Sequence, residues 1–266
     1  MAETPKISKT ISKEISKTIS QDDFLGGAIR LYQPTEGYRI ATDTVFLAAS
    51  IRYDPNERIL DMGCGTGGIL SCLLARTKGQ GENNIFHGIE LQSELLDLAR
   101  QNARENGFGE RIDYFAGDIA RPPADCAPNS YHHVITNPPY LKENGATASP
   151  FASKARAHMA GPVGLGAWVG LCLRMLRPLG HLTLVQRADR MDDIIAALHG
   201  KAGDIIIFPL WSSAGRDARR VIIQARKGAR GNIALKPGLI VHTSEGRFTP
   251  EAEAILRHGE ALDIEK

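Results

Sequence analysis

The chain has 266 residues, a length that one α/β domain with short extensions can fill. Its composition, with 42% hydrophobic and 23% charged residues, excludes a wholly disordered chain, a collagen-like repeat and a coiled coil. The 32 Lys and Arg residues nearly balance the 30 Asp and Glu residues, and the resulting charge of +2 excludes neither a nucleic-acid partner nor a small polar substrate.

The N-terminal segment repeats Ile-Ser-Lys every four residues between positions 7 and 20. A helix would bring the isoleucines onto one face, as in a docking helix. Because Ile, Thr and Ser form poor isolated helices, we interpret residues 1–21 as a flexible tail instead. Residues 28–32 and 38–40 then predict two short strands about a Pro/Gly turn, which is a hairpin ahead of the main sheet. Residues 42–50 predict a helix with Thr42 as its cap.

The rest of the chain alternates short β-rich runs with helical patterns. Strands are predicted at 58–62, 85–89, 112–115, 132–136, 181–185, 204–208 and 220–225, and helices at 68–76, 93–106, 165–176 and 191–198. Such alternation implies right-handed βαβ crossovers and a mostly parallel sheet. The last two strands are joined only by a predicted loop at 210–219, so the pattern allows them to pair antiparallel. Ligands of such sheets bind beyond the carboxyl ends of the strands.

A glycine-rich loop follows the first strand of this series, with the sequence Asp-Met-Gly-Cys-Gly-Thr-Gly-Gly at positions 61 to 68. Glycines allow a sharp turn and a close approach of a ligand to the backbone, and the next helix offers unpaired N–H groups. The spacing also fits a dinucleotide site. Asp61 argues against that site, because its carboxylate would face the pyrophosphate of NAD. The sulfonium and ammonium groups of S-adenosylmethionine favour a nearby carboxylate.

Acidic residues stand at the ends of the next two strands. Glu90 lies 22 residues after Gly68, where folds of this kind offer a carboxylate to ribose hydroxyls. Asp118 follows the third strand, and a carboxylate there can accept a hydrogen bond from an adenine amino group.

The fourth strand leads into Asn-Pro-Pro-Tyr at positions 137 to 140. The two prolines keep their carbonyl acceptors but have no N–H donors, so this loop is suited to accept hydrogen bonds. The Asn137 side-chain oxygen and the Pro138 carbonyl can hold one NH2 group while its lone pair attacks a methyl group. Tyr140 offers a ring face on which a planar substrate can stack.

Together these motifs resemble the class I S-adenosylmethionine-dependent N-methyltransferases of amino groups. The resemblance implies a Rossmann-like α/β fold with a mostly parallel seven-stranded sheet whose last strand is antiparallel. It also implies a methyltransferase domain with its N-terminal hairpin at residues 22–227, followed by a C-terminal extension at 228–266 packed on it. The implied catalytic residues are Asn137, Pro138, Pro139 and Tyr140, and the implied cofactor-binding residues are Asp61, Gly63, Gly65, Gly67, Glu90, Asp118 and Asn137.

The same tetrapeptide occurs in enzymes that methylate adenine N6 in nucleic acids and in those that methylate the glutamine amide of release factors, so the motif alone does not separate the two substrates. Residues 24–27, 37–43, 219–223 and 248–251 are similar to the bacterial tRNA (adenine-N6) methyltransferases that modify the anticodon loop of a valine tRNA. In such relatives the segment of Thr42 and Asp43 lies near the methionine end of the cofactor. The alternatives are protein-glutamine methylation and a non-catalytic protein that binds S-adenosylmethionine and tRNA.

The charge distribution supports tRNA or another structured RNA as the partner. Seven basic residues and one acid lie between positions 214 and 236, a local charge of +6 that suits phosphates, although such runs are often only solvated faces. We predict RNA contacts at Lys142, Arg156, Arg216, Arg219, Arg220, Arg226, Lys227 and Arg230. We expect no bound metal, because no second ligand stands near His158. No apolar run approaches the roughly 20 residues that span a bilayer, and the four cysteines form no CxxC pair, so we expect a cytoplasmic protein.

Overall fold

A computed structural model describes residues 19–37, 39–81, 83–139 and 163–266 of the chain. The first described element is a hairpin of β1 (Ile19–Phe24) and β2 (Ile29–Pro34), in which Ile19 pairs with Pro34 and Phe24 with Ile29. The predicted hairpin is therefore wrong in its pairing, because the chain turns at Gly26 and Gly27, both of which have a positive φ, and not at the later Pro/Gly segment. Residues 19–21 of the predicted tail belong to β1, and residues 1–18 lie outside the described part.

Two asparagines dock the hairpin on a helix of the main domain. Asn102 Oδ1 accepts a hydrogen bond from Tyr32 N at 2.7 Å, and its Nδ2 donates to Tyr32 O at 3.0 Å and to Thr66 O at 2.9 Å. One helical turn later, Asn106 Oδ1 accepts from Arg30 N, and Nδ2 donates to Arg30 O. The outer edge of β2 is therefore bonded to side chains, as it would be to a neighbouring strand.

Within the described part of the chain the central sheet has nine strands, seven of which are those predicted. They are β3 (Arg58–Met62), β4 (Ile85–Glu90), β5 (Ile112–Ala116), β6 (Tyr131–Thr136), β7 (Leu176–Arg187), β8 (Ala202–Ser213) and β9 (Ala218–Lys227). Two short strands, β10 (Ile233–Leu235) and β11 (Leu239–His242), both pair with β8. The order is β10-β8-β9-β7-β6-β3-β4-β5, and β9 is antiparallel to both of its neighbours. The expected antiparallel last strand of the seven is confirmed.

β8 and β9 are longer than predicted. The segment predicted as a loop at 210–219 is strand as far as Ser213 and again from Ala218, with a short turn between the strands. The reason is that β11 pairs with the end of β8 and supports it from the other side, through Leu239 with Leu210 and Ile240 with Trp211. The resulting ribbon extends past Arg187, the last residue of β7, which pairs with Arg220.

Helices cover both faces of the sheet. On one face α1 (Thr42–Ala49), α2 (Gly68–Arg76), α3 (Ser93–Glu105) and the last helix share one apolar cluster. On the other face α4 (Leu165–Met175) and α5 (Met191–Leu198) bury a second cluster against β3, β6 and β7. This two-sided burial explains the continuous apolar runs of the strands.

The C-terminal residues pack on the first of these faces. α6 (Pro250–His258) begins after Thr249, whose side-chain oxygen accepts from Ala252 N at 3.2 Å, so it has an ordinary helix cap. Further on, Leu262 N donates to Ala49 O at the end of α1. Residues 228–266 thus contribute two strands and one helix to the same structure. No helix of the described residues is long and apolar enough to cross a membrane.

Candidate active site

The glycine loop lies at the carboxyl end of β3, as predicted. Gly63, Gly65 and Gly67 have φ angles of 76°, 56° and 80°, in the left-handed region that favours glycine. A Cβ atom on Gly67 would lie 2.4 Å from the Tyr114 hydroxyl oxygen, inside the buried wall of the loop. The N–H groups of Gly63 and Cys64 both donate to Ile89 O, which fixes the loop against the end of β4.

Asp61 is fully buried beneath this loop, and neither carboxylate oxygen has a hydrogen-bond partner among the described residues. Burial raises the pKa of Asp61 well above its usual range, and the nearby Glu90 carboxylate raises the pKa further. A buried carboxylate without a partner costs folding free energy, unless a cationic ligand compensates it. This orphaned acid fits a cofactor that carries an ammonium and a sulfonium group.

Glu90 joins the loops that follow β3 and β4. Its Oε2 accepts from Gly65 N at 2.9 Å, and its Oε1 accepts from the backbone N–H groups of Leu91 and Gln92, both at 2.9 Å. The carboxylate is therefore held at the mouth of the glycine loop. Leu91, which the sequence analysis missed, is 46% exposed beside it and offers an apolar surface to a ring.

Asp118 lies just beyond the carboxyl end of β5, next to β4 in the sheet, and its Oδ1 accepts from Ala120 N at 2.9 Å. Three neighbouring strands thus bring an acid to one edge of the sheet: Asp61 near the end of β3, Glu90 at the end of β4 and Asp118 just after β5. The predicted acids therefore share one edge of the sheet, and of Glu90 and Asp118 it is Glu90 that bonds to the glycine loop.

The loop after β6 is held by polar side chains from three other elements. Thr136 Oγ1 donates to Met62 O at 2.7 Å and accepts from Trp168 Nε1 of α4 at 3.0 Å. Asn137 Nδ2 donates to Thr44 Oγ1 of α1 at 3.3 Å. The buried Gln186 of β7 donates from Nε2 to Pro138 O at 3.4 Å.

These three supporting side chains, Thr44, Trp168 and Gln186, were not found from the sequence. The ring of Trp168 also lies over the glycine loop, where a Cβ atom on Gly63 would be 2.9 Å from it. Of the four predicted catalytic residues, Asn137 is half-buried, Pro138 is buried and Pro139 is exposed. Tyr140 lies outside the described residues.

The start of α1 faces the same edge of the sheet. The predicted cap at Thr42 is wrong, because Thr42 is the exposed first residue of the helix and the N-cap is Ala41, which has no side chain able to accept a hydrogen bond. Asp43 supplies the local acceptor instead, since its Oδ1 accepts from Thr44 N at 3.0 Å. Its Oδ2 pairs with Arg220 Nε at 3.2 Å, which ties α1 to β9.

The predicted basic residues separate into two groups. Arg216, Arg219 and Arg220 lie at the start of β9 or in the turn before it, at the edge that carries Asn137. Because β9 is antiparallel, its last residues return to the opposite edge, where Arg226 pairs with Asp204 and Lys227 donates to Leu176 O. Arg230 lies on that side too, beside Gly203 at the start of β8. Lys142 and Arg156 lie outside the described residues.

A histidine cluster occupies the opposite edge. His133 Nε2 lies 2.8 Å from Glu57 Oε2, and its ring stacks on His181 at 5.4 Å between centroids. Burial lowers the pKa of His181 to about 4, with help from the neighbouring His133 and Arg226. The described residues contain no group of three or more His, Cys, Asp or Glu side chains that could hold a metal ion.

Comparison with known proteins agrees with this geometry. Residues 53–201 match the model of a family described as a methyltransferase domain. This match covers more than half of the chain, from the approach to β3 to the start of β8. The chain belongs to the methyltransferase-domain family.

This methyltransferase is also similar to individual proteins over most of its length. It is 30% identical to a tRNA1(Val) (adenine(37)-N6)-methyltransferase from Dickeya chrysanthemi, over 82% of this chain and 86% of that protein. A crystal structure of a predicted O-methyltransferase from Agrobacterium tumefaciens superposes with a TM-score of 0.67 and 25% identity, over 83% of this chain and 98% of the other. A ribosomal protein uL3 glutamine methyltransferase from Bradyrhizobium diazoefficiens is 32% identical over 39% of this chain and 30% of that protein.

Proposed function

We propose that this methyltransferase transfers a methyl group from S-adenosylmethionine to the exocyclic N6 of adenine in tRNA, with the anticodon loop as the substrate region. The observation that carries the proposal is the pair of acceptors at Asn137 and Pro138, held at the carboxyl edge of the sheet beside the glycine loop and the unpaired Asp61. The similarity to the Dickeya enzyme over 82% of this chain supports the substrate.

The cofactor supplies the electrophilic methyl group. Asp61 would compensate its positive charge, Gly63, Gly65 and Gly67 would let it approach the backbone, and Glu90 would accept from its ribose hydroxyls. Asp118 would accept from its adenine amino group, and Thr42 and Asp43 would border its methionine end. The Arg220 guanidinium is already paired with Asp43, so we assign this aspartate a structural contact as well.

Asn137 and Pro138 act on the amino group that receives the methyl. The Asn137 amide nitrogen is turned towards Thr44, which directs the amide oxygen to the opposite side. The Pro138 carbonyl has two lone pairs, and Gln186 uses one of them. Accepting both amino hydrogens favours a pyramidal nitrogen, whose lone pair is then available for the methyl group. Pro139 restricts the backbone of the loop, and Tyr140 would stack on the adenine ring.

Arg216 and Arg219 are the basic residues best placed to contact the RNA. Both are exposed at the functional edge of the sheet, on the ribbon that extends past β7. Lys142 and Arg156 would join them from the segment that follows the catalytic tetrapeptide. Arg226, Lys227 and Arg230 lie at the opposite edge and would serve only a second, separate contact with a large RNA. A tRNA substrate also implies a cytoplasmic protein.

Protein-glutamine methylation is the second candidate, because a glutamine amide presents the same planar NH2 group. The similarity to the Bradyrhizobium enzyme covers 39% of this chain, and the similarity to the Dickeya enzyme covers 82% of it. A hydroxyl substrate presents only one hydrogen to the two acceptors and needs a base, so the acceptor pair disfavours O-methylation. A binding protein without activity would gain nothing from this pair.

Incubation of the full chain with labelled S-adenosylmethionine and separate pools of tRNA, rRNA, DNA and release factors tests the proposal. We expect label in N6-methyladenosine from tRNA, identified by nucleoside mass spectrometry. Asn137→Ala should lower methyl transfer roughly 100-fold or more while the cofactor still binds. Asn232→Ala, the same change at an exposed position before β10, is the control. Label in a release factor, or none in adenine, would overturn the proposal.

A further inference from the structure

Thr44 lies directly behind the catalytic amide. It is the third residue of α1 and is 1% exposed, and its Oγ1 accepts a hydrogen bond from Asn137 Nδ2 at 3.3 Å. The residues of this helix singled out from the sequence were its neighbours Thr42 and Asp43. The buried hydroxyl of Thr44 contacts the loop after β6 from α1, whereas Gln186 contacts it from β7.

The direction of this hydrogen bond matters because a primary amide has two different ends. Its oxygen accepts and its nitrogen only donates, and the two have nearly the same shape. An amino substrate also presents donors, so an Asn137 side chain turned by 180° would place donor against donor. The observed orientation, with the nitrogen on the Thr44 side, offers the substrate an acceptor. Because a hydroxyl both donates and accepts, Thr44 fixes where the amide lies, and the two donors of the substrate favour the end that presents the oxygen.

The backbone of Thr44 is itself fixed. Its N–H group donates to Ala41 O at 3.1 Å and to Asp43 Oδ1 at 3.0 Å. The other oxygen of the Asp43 carboxylate pairs with Arg220 of β9. The start of α1 is therefore anchored to the sheet, and the Thr44 hydroxyl has a defined place beside the loop after β6.

We propose that Thr44 is a positioning residue for methyl transfer, which anchors the Asn137 side chain beside the substrate amino group, in the place where its oxygen can accept from that group. The inference rests on the proposed function of Asn137. Thr44 does not bind the cofactor in this proposal, so its loss should lower kcat for methyl transfer and leave the KM for S-adenosylmethionine unchanged.

The test compares Thr44→Val with Thr183→Val in the tRNA methylation assay. Thr183 is a matched control, because it too is 1% exposed and its Oγ1 accepts from a side-chain amide, Gln224 Nε2, at 3.2 Å. Both substitutions remove a buried hydroxyl and keep the shape. The net contribution of one hydrogen bond predicts a loss in kcat of about three- to tenfold for Thr44→Val. Thr183→Val should stay within about twofold of the wild type.

Thr44→Ser keeps the hydroxyl and should restore kcat to within about twofold of the wild type. If Thr44→Val does not fold, Thr44→Ala serves in its place. Equal kcat values for Thr44→Val and Thr183→Val would overturn the inference, as would a loss confined to the KM for S-adenosylmethionine. The wild type and Asn137→Ala in the same assay separate this failure from failure of the proposed function. If the wild type is active and Asn137→Ala is not, a normal Thr44→Val variant refutes only the role of Thr44, whereas an inactive wild type overturns both.

Discussion

Asn102 should contribute far more to stability than Asn106, although both side chains make three hydrogen bonds. Asn102 is fully buried and bonds to Tyr32 N, Tyr32 O and Thr66 O. Asn106 bonds to Arg30 N, Arg30 O and Asn102 O, and its contacts with Arg30 are exposed. Asn102 lies in the last turn of α3 and Asn106 is the residue that follows the helix, so the two are one turn apart and differ chiefly in burial.

The expected magnitudes follow from what can replace the lost partner. Because the Asn102 side chain is fully buried, water does not readily replace its partners in Asn102→Ala, and three bonds at about 1 kcal/mol each are lost. Alanine forms helix better than asparagine and regains about 0.6 kcal/mol, which leaves a net loss of about 2 to 3 kcal/mol. In Asn106→Ala water replaces the contacts with Arg30, and we expect a loss below about 1 kcal/mol.

Equilibrium urea unfolding followed by far-ultraviolet circular dichroism gives both free energies by linear extrapolation. Equal losses in the two variants would refute the argument, because burial would then not decide what these bonds contribute. A similar m-value for the three proteins is required for the comparison, since a lower m-value for Asn102→Ala would mean that the hairpin had already detached in the native state.

Three further predictions concern the buried acid, the arginines and a histidine. Asp61→Asn should raise the unfolding free energy of the cofactor-free protein, because it removes an unpaired buried carboxylate. The same variant should bind S-adenosylmethionine at least tenfold more weakly in calorimetry. A variant that is less stable and binds the cofactor normally would contradict this prediction. Arg219→Glu should weaken tRNA binding and flatten its salt dependence, and Arg230→Glu at the other edge of the sheet should have a smaller effect on both. Equal salt slopes for the two variants would show that tRNA binding does not prefer one edge. His181 has a pKa of about 4 in the folded chain and about 6.5 in the unfolded one, so the unfolded state binds more protons between these values and stability falls as pH drops through them. His181→Phe should flatten that part of the stability profile in urea titrations at pH 4 to 7, and an unchanged profile would exclude His181 as its source.

The sequence predicted the parts of the site that are local in the chain. Gly63, Gly65 and Gly67 follow a strand directly, and Glu90 ends the next one, so motif spacing and the parallel sheet together placed them at one edge. The antiparallel β9 was allowed by the sequence pattern and implied by the resemblance. The order of the strands was not predicted, because no local pattern states which strands pair.

What the sequence could not predict depends on segments that meet only in the folded chain. Thr44 is 93 residues from Asn137 and Gln186 is 48 residues from Pro138, so no spacing rule connects them. For the basic run, closeness in the sequence does not mean closeness in the fold. Arg220 and Arg226 are close in sequence, but they lie near opposite ends of an extended strand and about 20 Å apart, at roughly 3.4 Å per residue.

The docking of β2 on α3 also fixes the register of the hairpin against the helix. Four residues of helix rise about 6 Å, and two residues of strand span about 6.8 Å, so Asn102 and Asn106 match Tyr32 and Arg30 in spacing. A one-residue slip of β2 would leave both asparagines opposite the wrong backbone groups. The same contacts occupy an edge that could otherwise recruit a strand from another molecule, so loss of the two asparagines should favour aggregation as well as unfolding.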